Sequence, residues 1–92
     1  MWIPAYTRQF KKDYKRSLKR GLPEFEIEAI MRKLLKGQPL EPKHRDHILK
    51  GAYRGFGECH IKPDWLLGYL KDDTAKTLTF VRTGTHSDLF DE

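Results

Sequence analysis

The chain has 92 residues, 38% of them hydrophobic and 12% aromatic, with a formal net charge of +5 and a sequence pI of about 9.4. That size predicts one domain, residues 1–92, with a thin core, and the apolar content excludes a disordered polyelectrolyte. No apolar run approaches the ~20 residues a bilayer requires, and the lone Cys59 excludes an internal disulfide and suits a reducing compartment.

Residues 2–5 read as a short extended lead, an edge strand at most, because Pro4 cannot donate to a ladder. The opening residues run into a basic amphipathic stretch rather than an apolar signal-peptide core, so the expectation is a cytoplasmic protein with no membrane role. Tyr6, Phe10, Tyr14 and Leu18 recur every fourth residue and predict one stripe of a helix over Thr7–Arg20, capped by Thr7 and ended by Gly21. Seven Lys/Arg and one Asp fall between Arg8 and Arg20, so this helix holds the net positive charge and the rest of the chain is nearly neutral. A basic face of this density favours a polyanionic partner. Lys11, Lys12, Lys15 and Arg16 are its candidate phosphate contacts.

A second helix is predicted over Pro23–Lys36. Pro23 suits a first turn, where its missing N–H is not needed. Ile27, Ile30, Met31, Leu34 and Leu35 form its buried stripe. Glu24, Glu26 and Glu28 lie near the positive end of the helix dipole, and Lys33 and Lys36 near the negative end.

After Pro42 the pattern changes to strands over Tyr53–Ile61, Trp65–Lys71 and Thr77–Thr83, with a tight turn at Lys62-Pro63-Asp64. The expected fold is α+β: two antiparallel N-terminal helices packed on one face of a twisted antiparallel sheet. The other face is left for solvent or a ligand. Alternation along the first of these strands puts Arg54, Phe56, Glu58 and His60 on one side.

The strand half holds the residues able to do chemistry. RNA carries its own nucleophile, the 2′-hydroxyl. Cutting it requires a base for that proton, an acid for the leaving 5′-oxygen and donors around the phosphate. Histidine suits both proton roles, arginine suits the non-bridging oxygens, and an aromatic ring can stack on an unpaired base. His47, His60, His86, Arg82, Trp65 and Phe90 satisfy this by residue type. Trp65, flanked by Leu66 and Leu67, is equally compatible with core packing, and Phe90 with pinning the chain end. Neighbouring strand residues point to opposite faces, so Cys59 and His60 do not readily share an ion, and His44-x₂-His47 is a poor zinc pair. No metal or other cofactor is expected, and Cys59 reads as a small buried residue rather than a nucleophile.

Three runs in order, 46–51 (Asp-His-Ile-Leu-Lys-Gly), 54–67 (Arg-Gly-Phe-Gly-Glu-Cys-His-Ile-Lys-Pro-Asp-Trp-Leu-Leu) and 82–90 (Arg-Thr-Gly-Thr-His-Ser-Asp-Leu-Phe), resemble the YafQ-type toxins of the RelE superfamily. The resemblance implies the microbial RNase fold and a type II toxin, a ribosome-dependent, metal-independent mRNA endonuclease restrained by an antitoxin. It places His47, His60, Asp64, His86 and the terminal aromatic Phe90 in an active-site cluster. Within that cluster our preferred division gives the leaving-group proton to His86 and the 2′-hydroxyl proton to His60 or Asp64, with His47 orienting or sharing that work and Arg82 steadying the phosphate; a single sequence leaves the split among the histidines open. Arg54 and Trp65 join Phe90 as substrate contacts. The partners implied are the ribosome, mRNA, an antitoxin segment acidic where it meets the basic helix, and DNA only through the toxin–antitoxin complex. The alternatives are a non-catalytic basic RNA- or DNA-binding module and a degenerate toxin kept for antitoxin binding.

Overall fold

The computed structural model describes residues 1–48 and 55–90, with the Phe90 side chain outside the described set. In chain order the elements are β1 (Ile3–Tyr6), α1 (Arg8–Lys19), α2 (Glu24–Leu35), a 3₁₀ turn (Pro42–His44), β2 (His47–Ile48), β3 (Phe56–Lys62), β4 (Trp65–Asp72), β5 (Thr77–Gly84) and α3 (His86–Phe90). The sheet order is β1-β5-β4-β3-β2. This is the expected α+β layering, with one correction. β1 runs parallel to β5, Ile3 opposite Thr77 and Tyr6 opposite Phe80, so the sheet is mixed rather than antiparallel throughout. A parallel pair needs a long crossover, and here nearly the whole chain supplies it, which is why no local turn signal announces the pairing.

The core lies between the two main helices and one sheet face. Ile27, Ile30, Met31 and Leu34 of α2 meet Cys59, Ile61, Trp65, Leu67, Tyr69, Leu78 and Phe80. Tyr6, Phe10 and Phe80 stack at its α1 end, with ring centroids 5.6–6.0 Å apart. The inner stripe of α1 is not the expected Tyr6–Phe10–Tyr14–Leu18 row. Its buried residues are Phe10, Asp13 and Ser17, and Tyr6 is exposed.

The reason is where α1 sits. β1 covers the outer edge of β5 only as far as Phe80, and an uncovered edge of N–H and C=O groups is a liability. From there α1 takes over: the Thr7 amide donates to the Phe80 carbonyl (3.1 Å), the Thr7 hydroxyl to the Val81 carbonyl (2.7 Å), and the Thr83 amide to the Asp13 carboxylate (3.2 Å). Thr7 also accepts from the Phe10 amide at 2.9 Å, so one side chain caps the helix and seals the strand.

Two irregularities shape the sheet. A register shift between His60 and Lys62 precedes the Pro63-Asp64 turn, and another inserts Val81 opposite the Gly68/Tyr69 step. Bulges of this kind bend strands and re-aim side chains. Gly57 has a separate role. A Cβ there would lie 2.3 Å from the Tyr69 ring, so only glycine lets that buried ring lie flat on β3. The Tyr69 hydroxyl then reaches past β3 and donates to Asp46, the residue before His47. Burial, with the Asp46 carboxylate beside it, pushes the Tyr69 phenol well above its ordinary range.

Candidate active site

Core-facing Gly57, Cys59 and Ile61 put Glu58 and His60 on the sheet face away from α1 and α2. Pairing register then builds rows across that face. His60 lies opposite Leu66, and Leu66 opposite Gly84. The next row is His47, Glu58, Gly68 and Arg82. Directly opposed residues share a face, so two of the histidines arrive from neighbouring strands and His86 joins them from the start of α3.

His86 is held closely. Its Nδ1–H donates to Asp64 Oδ1 at 3.0 Å, and its backbone amide reaches the same oxygen at 3.3 Å. Asp64 stands in the turn after Pro63, so the two-residue turn delivers the carboxylate to the far end of β5. The His86 side chain, then its amide, holds the Asp64 carboxyl below the usual carboxylate range. The His60 and His86 rings lie 6.1 Å apart between centroids.

The other rings are anchored through Nδ1 as well: His60 to the Pro63 carbonyl (3.2 Å), His47 to the Arg45 carbonyl (2.8 Å) and His44 to the His60 carbonyl (2.7 Å). A carbonyl only accepts, so Nδ1 carries the hydrogen in each. The neutral ring then has its lone pair on Nε2.

The remaining expected residues divide. Trp65 is a correction. It is 1% exposed in the core and its indole N–H donates to Thr83 Oγ1 (3.0 Å), so its ring is not available to stack on a base. Arg82 donates through Nε (2.7 Å) and Nη2 (3.4 Å) to Asp13. Arg16, expected to face phosphate, donates instead to Asp13 at 3.1 Å and lies 3.8 Å from Asp88. Lys11, Lys12 and Lys15 are exposed. Lys11 and Lys15 border a groove of about 450 Å³ between the helices with Tyr6, Phe10, Tyr14 and Met31, on the layer away from the histidines. Arg54 lies outside the described residues, as does the side chain of Phe90. Cys59 is buried, and burial pushes its thiol up, away from nucleophilic use.

Asp13 was not visible as a site residue in the sequence. It is fully buried and accepts from Gln9, Arg16, Arg82 and the Thr83 amide. Its only sequence signal is position: with Phe10 and Ser17 it makes an i, i+3, i+7 row, an inward stripe that is two-thirds polar. Among the described residues no three His, Cys, Asp or Glu side chains converge as a metal site. No described helix is long and apolar enough to cross a membrane.

The α+β layer thus carries a histidine–aspartate cluster on its open face, reached from a Pro turn and the short helix α3. The family described as bacterial toxin of type II toxin–antitoxin system, YafQ, matches residues 3–91, and the chain belongs to it. It is 38% identical over 86 residues to the mRNA interferase toxin YafQ of Escherichia coli K12, covering 92% of this chain and 91% of that protein. The crystal structure of the E. coli DinJ–YafQ complex superposes with a TM-score of 0.89 at 36% identity, over 98% of this chain and 99% of that one. A metal-bound toxin from Helicobacter pylori superposes at 0.90 with 41% identity, over 98% and 100%.

Proposed function

We propose that this toxin is a ribosome-dependent endoribonuclease that cuts mRNA by attack of the 2′-hydroxyl, with no metal in the reaction, and that an antitoxin restrains it. The name mRNA interferase on its E. coli relative and the DinJ complex of that relative support the activity and the partner. The observation that carries the chemistry is the Asp64–His86 pair at 3.0 Å with the His60 ring beside it.

In this mechanism His86 is the acid. The ionised Asp64 steadies its imidazolium and fixes the ring, and the Nε2 proton goes to the leaving 5′-oxygen as the P–O bond breaks. His60 is the base. Its Nδ1–H is tied to the Pro63 carbonyl, which leaves Nε2 to take the 2′-hydroxyl proton. Asp64 is committed to His86, which favours His60 over Asp64 for that step. His47 lies one pair along the same face and orients or shares the base. Arg82, aligned by Asp13, offers its remaining N–H to the phosphate oxygens. Phe90 stacks on a base, and Arg54 contacts the substrate backbone. Lys11, Lys12 and Lys15 dock on ribosomal RNA, or on an acidic antitoxin segment.

Inducing the gene in growing cells tests this. Wild type should arrest growth, while His86→Ala and His60→Ala should not, with both variants still folded and still bound by antitoxin. Arrest by the histidine variants, together with its loss on replacing the α1 lysines, would favour a non-catalytic RNA-binding module.

A further inference from the structure

We propose that Asp88 is a positioning residue, through which Arg20 and Arg16 of α1 hold His86 in place; the inference rests on His86 being the proton donor described above. α3 has only five residues, and a helix that short has almost no stability of its own. Its placement, and with it that of its first residue, His86, must come from contacts with the rest of the fold.

Asp64 holds the His86 ring and amide directly; the contacts on the body of α3 converge on a second carboxylate. Asp88 Oδ2 accepts from Arg20 Nη1 at 2.7 Å and from the Thr85 amide at 3.1 Å, and lies 3.8 Å from Arg16 Nη2. The Asp88 amide returns a bond to Thr85 Oγ1 at 3.2 Å, a reciprocal cap on α3. Gly84 makes the approach possible. A Cβ on Gly84 would lie 3.0 Å from Asp88 Cβ and Oδ2 and 3.4 Å from Arg16 Nη2, so the cluster closes directly over the backbone two residues before His86.

The cluster does not end there. Arg16 also binds the buried Asp13, which holds Arg82 and the Thr83 amide. A continuous chain of opposite charges therefore runs Arg82–Asp13–Arg16–Asp88–Arg20. It ties the end of β5 and the start of α3 to one face of α1.

An exposed ion pair alone is weak, and Arg16 and Arg20 side chains are 38% and 50% exposed. Asp88 differs, at 13% exposed with several donors on one oxygen. The basic helix thus holds two populations. Its lysines face solvent, whereas Arg16 and Arg20 are engaged by carboxylates and act on the reaction through α3.

The test is a double-mutant cycle, Asp88→Ala, Arg20→Ala and both together, in the full chain. It reads kcat and KM for cleavage of ribosome-bound mRNA, and the NOEs between the His60 and His86 rings. Displacing an acid by about 1 Å costs up to about a hundredfold. Asp88→Ala should therefore lower kcat about ten- to a hundredfold with KM within about twofold, and the double variant should be no slower than Asp88→Ala. The His60–His86 NOEs should weaken while those between Phe10 and Phe80 persist. Independent, multiplying losses with a raised KM would mean that Arg20 contacts RNA directly, and would overturn the proposal. So would a kcat loss with the histidine NOEs unchanged. Should Asp88→Ala not fold, Asp88→Asn, of the same size but uncharged, carries the same comparisons. Failure of wild type to cut would sink the ribonuclease reading, while the NOE comparison still decides the positioning role.

Discussion

Thr83 and Asp13 show how much of this site is held by buried polar groups. Thr83 Oγ1 accepts from the Trp65 indole at 3.0 Å and donates to the Leu66 carbonyl at 2.7 Å, both in the core. Thr83→Val keeps the shape but leaves the buried Trp65 indole N–H without its acceptor and removes the bond to the Leu66 carbonyl, and should cost about 2–3 kcal/mol in denaturant unfolding. Removing one member of a buried ionic network is dearer. Asp13→Ala should destabilise by about 3 kcal/mol and free the Arg82 guanidinium, with cleavage slowed more than the stability loss explains. These residues were the least legible. An acid among seven basic residues reads as part of a solvated face, because a single sequence does not show which way a helix is rotated on its sheet. The three histidines, Asp64 and Arg82 were legible by type and motif. Trp65 was ambiguous for a plain reason: a large ring between two leucines satisfies the pattern of a core residue and of a stacking platform alike.

The two main helices and the turn are legible where the signal is local, whereas the two-residue β2 and the five-residue α3 are too short to carry a periodic signal and are not predicted from it. The main helices begin and end within a residue or so of the expected limits, and the Pro63-Asp64 turn joins β3 to β4 as its sequence requires. β1 was legible as an edge strand, but its parallel partner was not, since pairing with β5 depends on contacts between opposite ends of the chain. The start of α1 unites both kinds of information in Thr7. Replacing it by alanine removes a helix cap, typically worth about 1 kcal/mol, and the bond to the Val81 carbonyl. Thr7→Ala should therefore cost about 2 kcal/mol, and hydrogen exchange at the Val81–Gly84 end of β5 should quicken.

The turn and α3 together also predict a pH response. Asp64 is held below the usual range by its His86 contacts. At Asp88, burial acts to raise the carboxyl, but the Thr85 amide and the Arg20 and Arg16 guanidiniums outweigh it and hold it low. Both folded sites favour the ionised form. Their stabilisation is complete above about pH 4, where an unfolded aspartate is ionised, and is lost as pH falls through the lower folded values. The Tm difference between wild type and Asp88→Asn should therefore be steady from about pH 7 to pH 5 and shrink below about pH 4. A difference that grew on acidification would contradict this. The Asp64 contribution, from a largely exposed side chain, should be sensitive to salt.

At the scale of the molecule, the fold separates two tasks. One sheet face and α3 assemble the histidines; the helical layer displays lysines and, through Arg16 and Arg20, braces that assembly from behind. Replacing Lys11, Lys12 and Lys15 together by glutamine should lower kcat/KM on ribosomes by about tenfold at low salt and flatten its salt dependence. Both tasks serve one proposed event, the breaking of RNA at the Asp64–His86–His60 cluster. Primer extension on cellular mRNA, after induction of wild type or of a folded, antitoxin-binding His86→Ala variant, tests it most directly. Wild type should give discrete new 5′ ends and the variant none. The same ends at the same intensity in both would contradict it.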